Sequence, residues 1–78
     1  MDKNVKVYST PTCPWCIRTK QFLKDHNISF EDIDVSSNQQ AAEEMVQRSG
    51  QMGVPVVDIN GQIIVGFDKP KIEQALRR

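Results

Sequence analysis

Residues 5–23 read VKVYSTPTCPWCIRTKQFL and contain both cysteines of the chain, Cys13 and Cys16. Val5, Val7 and Tyr8 are β-branched or aromatic, and Lys6 lies between the two valines. This composition is typical of a short strand. Pro14 suits the first turn of a helix. After it, positions three and four apart lie on one side of that helix: Cys16, Thr19, Phe22, Leu23 and His26. The segment therefore predicts a strand followed directly by an amphipathic helix that begins at the cysteine pair.

The rest of the chain continues the alternation of strands and helices. Residues 28–35 are predicted to form a second strand, and Ser37 with Gln40 fits a capping box for a second helix that ends at Gly50. Residues 54–59 and 62–65 are predicted to form a hairpin around Asn60-Gly61. Asp68 is the predicted cap of a last helix, with a proline in its first turn.

The predicted element order is therefore β-α-β-α-β-β-α, an α/β fold. The first β-α-β unit implies a parallel strand pair with a right-handed crossover, and the hairpin adds antiparallel strands. We expect one domain over residues 1–78, with a four-stranded mixed sheet flanked by helices.

Composition narrows the function classes. Ten Lys and Arg balance ten Asp and Glu, so the net charge is zero. A nucleic acid or an anionic membrane would favour a basic excess, and neither is expected as a partner. No apolar run approaches the roughly 20 residues that span a bilayer. Residues 1–4 lack the features of a secretory signal, so we expect a cytoplasmic protein, and a monomer because no long apolar stripe is left over.

The cysteine pair is better explained by chemistry than by stability. The cytoplasm keeps thiols reduced, and a bridge between Cys13 and Cys16 would close too small a loop to stabilise the fold much. Disulfide exchange needs a thiolate, an accessible sulfur and a second thiol. Cys13 lies where a helix begins, and free amide groups and the helix dipole favour negative charge there. We therefore predict Cys13 as the nucleophile and Cys16, more buried, as the resolving thiol.

Other interpretations of the same residues are weaker. A zinc site needs four ligands, and His26, far along the helix, is the one further candidate, so no metal is expected. Trp15 is expected to be exposed beside the site, because it lies between the two cysteines. The lysines are expected on a solvated face: Lys20, Lys24, Lys69 and Lys71.

Three separated motifs resemble a glutaredoxin of the thioredoxin-fold superfamily: Cys13-Pro14-Trp15-Cys16, Val54-Pro55 and Gly66-Phe67-Asp68. The resemblance implies a thioredoxin-like fold and a dithiol oxidoreductase that reduces protein disulfides or glutathione mixed disulfides. It implies no tightly bound cofactor, with glutathione as the reductant. It also implies a cis bond at Pro55, opposite Cys13, and a Val54 backbone free to pair with an extended substrate. The implied substrate- and glutathione-binding residues are Pro14, Trp15, Arg48, Gln51, Val54, Pro55, Gly66, Phe67 and Asp68.

The chain departs from the glutaredoxin pattern where glutathione would bind. Thr10 stands where the family often has lysine, Gly53 precedes Val-Pro in place of threonine, and Val65 replaces the first glycine of a pair. Arg48 and Gln51 are then the partners expected for a carboxylate.

Two other functions stay open. The same motifs resemble NrdH-type redoxins, which are reduced by a flavoprotein thioredoxin reductase and serve ribonucleotide reductase; a peroxidase is another candidate target. An iron–sulfur adaptor that shares Cys13 between two chains is disfavoured by the neighbouring Cys16, and a redox-regulated binding module without turnover is a further alternative.

Overall fold

The computed structural model describes residues 4–77. The seven elements follow the predicted order: β1 (Val5–Ser9), α1 (Pro14–Asp25), β2 (Glu31–Asp34), α2 (Gln39–Ser49), β3 (Val56–Ile59), β4 (Gln62–Val65) and α3 (Lys69–Leu76). Residues 1–3, on which most of the expectation about a secretory signal depends, lie outside the described residues.

The four strands form one mixed sheet in the order β2-β1-β3-β4. β1 pairs with β2 in parallel, and it pairs with β3 in antiparallel orientation, so β1 lies inside the sheet. β3 and β4 form the antiparallel hairpin. The predicted α/β class and four-stranded mixed sheet are therefore confirmed.

Each face of the sheet is covered by helices. Because side chains alternate along β1, Val7 and Ser9 point to one face and Tyr8 points to the other. The first face packs against α1 and α3, and its buried cluster is Val5, Val7, Phe22, Leu23, Val57, Ile59, Ile64, Ile72, Ala75 and Leu76. The second packs against α2 through Tyr8, Ala41, Met45 and Val56. The two cysteines lie at the end of the first face, where β1 leads into α1.

The second strand is shorter than the prediction of residues 28–35. Asn27 has a φ of 56°, and the amide of Ile28 donates to the carbonyl of Leu23 at 2.9 Å, so Ile28 still belongs to the turn that ends α1. Ile28 and Phe30 pack against the first cluster from this loop. Their apolar character comes from core packing and not from strand pairing.

The start of α2 also differs from the prediction. The cap is Asn38, whose Oδ1 accepts from the amide of Ala41 at 3.1 Å. Ser36 and Ser37 instead donate back to Asp34. The capping box at Ser37 and Gln40 is therefore wrong, because a turn at the end of β2 engages both serines.

Three other predicted element boundaries are confirmed, at Gly50, at the Asn60-Gly61 turn and at Asp68. Gly50 ends α2 with a φ of 75°, and Asn60 and Gly61 turn the hairpin with φ angles of 53° and 93°. Asp68 caps α3 by accepting from the amide of Lys71 at 3.3 Å. The hairpin strand begins at Val56, two residues later than predicted. Across residues 4–77, no helix has the length and apolar character needed to cross a bilayer.

Candidate redox site

Cys13 is the residue that caps the first helix. Its backbone is extended, with φ −89° and ψ 114°, and Pro14 begins α1 directly after it. The Cys13 Sγ accepts a hydrogen bond from the amide of Cys16 at 3.2 Å. The side chain is partly exposed. The sulfur thus satisfies an amide that the helix itself leaves free.

Cys16 lies one turn further along α1, in a different environment. It is completely buried, and both cysteines are free thiols. Burial raises the pKa of the Cys16 thiol to about 11, and its hydrogen bond with Cys13 adds to that effect. Cys16 is therefore protonated at neutral pH. It lies three residues after Cys13, and its amide already contacts the Cys13 sulfur.

The loop before β3 forms the opposite wall of the site. The Val54-Pro55 peptide bond is cis, as the resemblance implied. The Cys13 thiol donates to the carbonyl of Val54 at 3.9 Å. The carbonyl of Pro55 accepts from the amide of Gly66 at 2.8 Å, and Gly66 has a φ of 78°, a conformation that glycine adopts without strain. This bond holds the end of β4 against the loop.

An open recess of about 270 Å³ is lined by Trp15, Val54, Pro55, Gly66 and Phe67, and the Cys13 sulfur contacts one of these residues, Val54. Trp15 is 54% exposed, which confirms the expectation from its position. Its ring lies 6.4 Å from that of Phe67, centroid to centroid. The guanidinium of Arg18 lies 4.9 Å from the centre of the Trp15 ring, in a cation–π contact. The predicted motifs thus converge from three separate parts of the chain.

Three of the predicted binding residues are engaged elsewhere. Arg48 pairs with the buried carboxylate of Asp58 and, at 3.3 Å, with Glu44. The Gln51 side chain bonds to the backbone of Gly53, to whose carbonyl its amide nitrogen donates at 3.0 Å. Asp68 caps α3. Neither Arg48 nor Gln51 lines the recess, and the polar groups of both have partners within the fold.

His26 lies at the C-terminal cap of α1, as predicted, with its Nδ1 2.9 Å from the carbonyl of Phe22. In the described part of the chain, residues 4–77, no three His, Cys, Asp or Glu side chains lie close enough to hold a metal ion.

The sequence did not predict two contacts made by cations of α1. Arg18 follows Trp15 by three residues, a spacing that permits the observed contact between the two side chains. Lys20 was assigned to the solvated face, and this is wrong: only 20% of its side chain is exposed, and Nζ lies 3.1 Å from Asp32 Oδ2. The spacing of Cys16 and Lys20, four residues apart on one helix, was the available signal.

Comparison with known proteins agrees with this geometry. The glutaredoxin family model matches residues 5–64. An uncharacterised glutaredoxin-like 8.6 kDa protein in the rubredoxin operon of Clostridium pasteurianum is 50% identical over 74 residues, which cover 95% of this chain and 99% of the relative. Glutaredoxin 3 of Escherichia coli is 40% identical over 65 residues, which cover 83% of this chain and 78% of that protein.

Solved structures place the fold in the same group. A glutaredoxin from Archaeoglobus fulgidus superposes with a TM-score of 0.89 at 30% identity, covering 96% of this chain and 87% of that one. The NrdH-redoxin of Escherichia coli superposes with a TM-score of 0.82 at 27% identity, covering 91% and 92%. The fold is therefore thioredoxin-like, and the chain belongs to the glutaredoxin family.

Proposed function

We propose that this protein is a dithiol oxidoreductase that reduces protein disulfides, with Cys13 as the nucleophile and Cys16 as the resolving thiol. One observation carries the proposal: a partly exposed sulfur caps α1, and the amide of a buried second cysteine donates to it at 3.2 Å. This arrangement combines an accessible sulfur at the N-terminus of a helix with a second thiol one turn away.

The reaction has two exchange steps. In the first, the Cys13 thiolate attacks one sulfur of the substrate disulfide, forming a mixed disulfide and releasing the other substrate sulfur as a thiolate that takes up a proton. In the second, Cys16 loses its proton and attacks the Cys13 sulfur. The Cys13–Cys16 disulfide forms, the second substrate thiol leaves, and two electrons have passed from the protein to the substrate.

The recess supports an extended peptide as the substrate. Trp15 and Phe67 offer apolar surface, and the backbone of Val54 lies beside the reactive sulfur, where it can pair with a strand. The activity fits the reducing cytoplasm, where a protein of this kind must be re-reduced after each turnover.

Family membership favours glutathione as the reductant. A specific observation favours the second candidate, a flavoprotein thioredoxin reductase: Arg48 and Gln51, the residues expected to hold the glutathione carboxylate, are engaged within the fold. The NrdH-redoxin of Escherichia coli, a glutaredoxin-like protein with a thioredoxin-like activity profile, is among the structural neighbours. We propose thioredoxin reductase as the electron source, with ribonucleotide reductase or a peroxidase as candidate targets.

A paired assay tests both parts of the proposal. The oxidised protein is supplied with NADPH and either glutathione with glutathione reductase or a thioredoxin reductase, and NADPH consumption is followed with insulin as the disulfide substrate. We expect turnover with thioredoxin reductase. Turnover with glutathione alone would overturn the assignment of the reductant, and no insulin reduction with either would overturn the activity. Cys13→Ser is the control for each arm.

A further inference from the structure

Lys20 belongs to a polar cluster about one turn of α1 after Cys16. We call it the Lys20 cluster and define it as Ser9, Lys20 and Asp32. Lys20 Nζ lies 3.1 Å from Asp32 Oδ2 and 3.4 Å from Ser9 Oγ. Ser9 is 2% exposed and donates to Asp32 Oδ1 at 2.9 Å. The cluster joins α1, the end of β1 and the edge strand β2.

The cluster lies on the side of α1 that carries the resolving thiol. Lys20 follows Cys16 by four residues, a spacing that places both side chains on one face of the helix. Lys24, one further turn along, is exposed. The Lys20 side chain therefore shares the helix face of Cys16, and its amine is bound by Asp32 and Ser9, whereas most lysines extend into water.

The resolving step creates a charge that the fold disfavours. Cys16 has no exposed surface, and burial raises its pKa, while a backbone hydrogen bond with Thr10 and, to a smaller extent, the positive charge of Lys20 act in the opposite direction. Cys13 adjoins Cys16 on the loop, Asp32 of β2 pairs with Lys20 at 3.1 Å, and Lys69 of α3 lies over the Phe22 ring at 5.8 Å.

We propose that Lys20 is a positioning residue for the resolving step, where its ammonium charge stabilises the Cys16 thiolate and Asp32 moderates that charge. The inference rests on the proposed function. In this step the bond between Cys13 and the substrate sulfur breaks, the Cys13–Cys16 bond forms, and the proton of Cys16 goes to the departing substrate thiolate. Lys20 keeps its protons throughout, so its contribution is electrostatic.

The test follows the two exchange steps separately. Reduced protein is mixed in a stopped-flow instrument with dithiobis(nitrobenzoic acid), whose thionitrobenzoate product absorbs light. Attack by Cys13 releases the first equivalent, and resolution by Cys16 releases the second. The second rate is measured as a function of pH. This dependence reports the ionisation of Cys16, which a purely structural role of Lys20 would leave unchanged.

Lys20→Gln is expected to slow the second release by about three-fold at neutral pH and to raise its pH midpoint by roughly half a unit, because a nearby positive charge is lost. Lys20→Arg should restore the midpoint. Asp32→Asn should have the opposite effect and lower it, because the lysine charge is no longer offset. Lys24→Gln, a matched exposed lysine, should leave both releases unchanged.

Opposite shifts of the pH midpoint in Lys20→Gln and Asp32→Asn distinguish this inference from a purely structural ion pair. Removing either partner of a structural pair would change the second release in the same direction. Changes in the same direction for Lys20→Gln and Asp32→Asn, or no change in either, would overturn it. If Lys20→Gln does not fold, as judged by circular dichroism, the direction of the Asp32→Asn shift decides. Failure of the wild-type protein to release the first equivalent would instead overturn the proposed function.

Discussion

At the residue scale, two chemically identical side chains differ in their surroundings. Cys13 lies at the open end of α1, where its sulfur accepts from a backbone amide. Cys16 points into the packed side of the same helix and has no exposed surface. The backbone position of each thiol thus supports its proposed role, because accessibility favours attack on a substrate and burial delays the reaction of the second thiol.

The roles of the two thiols predict opposite results for their serine variants. Cys13→Ser should abolish all disulfide exchange, because the accessible sulfur is lost. In the Cys16→Ser variant, Cys13 should still attack the substrate, but the mixed disulfide at Cys13 should accumulate because the resolving thiol is absent. Mass spectrometry of each variant after incubation with a disulfide substrate gives the answer. Full turnover of protein disulfides by Cys13→Ser would contradict the assignment.

Tyr8 supplies a pH-dependent signal from the opposite face of the sheet. It is the one tyrosine of the chain, is almost fully buried, and its hydroxyl donates to Glu44 at 2.8 Å. Burial, followed by the bond and charge of Glu44, raises the pKa of Tyr8 from 10.0 to about 12. The fold therefore holds the phenol proton more tightly than the unfolded chain does, and this stabilisation is lost as pH rises from 10 towards 12.

The expected result is a tyrosinate absorbance that develops well above the midpoint of free tyrosine. Glu44→Gln should lower the midpoint, because the carboxylate charge is removed, and Tyr8→Phe should abolish the signal. Circular dichroism must show that the protein is still folded during the titration. An ordinary tyrosine midpoint in folded protein would refute the burial of this hydroxyl.

At the scale of elements, Arg48 connects α2 to the hairpin. Its guanidinium binds the carboxylate of Asp58, which is 5% exposed and also accepts from the amide of Gly61 at 2.8 Å. The pair therefore links the end of the second helix to the turn between β3 and β4. A buried carboxylate needs such partners, because an unpaired charge in the interior is costly.

Arg48→Met should consequently destabilise the fold. We expect a loss of roughly 1–3 kcal/mol in the free energy of unfolding, below the value for a fully buried pair because Arg48 itself is partly exposed. Urea denaturation measures this loss. Lys71→Gln, which removes an exposed pair with Asp68, is the control and should change stability by less than about 0.5 kcal/mol.

The same variant also tests the role of Arg48 in binding. If Arg48 is structural, any reaction of Arg48→Met with glutathione should match that of the wild type at a temperature where both are folded. Unchanged stability combined with a specific loss of the glutathione reaction would show instead that Arg48 binds a carboxylate.

Helix α1 and the hairpin were predicted from short-range patterns, and both are confirmed. The apolar spacing of α1 and the turn at Asn60-Gly61 each depend on residues that are close together in the chain. The sequence is therefore sufficient to predict both elements. The limits of β2 could not be predicted in this way. Ile28 and Phe30 are as apolar as strand residues, but they pack on the core from a loop.

At the scale of the whole molecule, the recess unites elements that are far apart in the chain. Trp15 comes from the start of α1, Val54 from the loop before β3, and Phe67 from the residues after β4. The sheet brings them together, because β1 pairs with β3 and β3 with β4. The proposed substrate surface therefore has contributions from three segments of the chain.

Trp15→Ala tests this surface. We expect kcat/KM for a folded protein disulfide to fall by about ten-fold, as for an anchoring aromatic, while a small disulfide reacts within about two-fold of the wild-type rate. Stability should change by no more than about 0.5 kcal/mol, because the side chain is largely exposed. Ile17→Ala, similarly exposed at 57% but outside the recess, is the matched control. An equal loss for both substrates would show that Trp15 acts on the thiol and not on substrate binding.

The sequence alone determined the element order, the α1 cap at Cys13 and the paired thiols, because these depend on neighbours within a few residues. The partners of Lys20 and Arg48 were decided by the tertiary structure. Lys20 meets Asp32 across 12 residues, Arg48 meets Asp58 across 10, and Cys13 meets Val54 across 41. Strand pairing creates these contacts. Lys20 and Arg48 therefore acquire their carboxylate partners only when the sheet forms, and the sequence alone does not identify those partners.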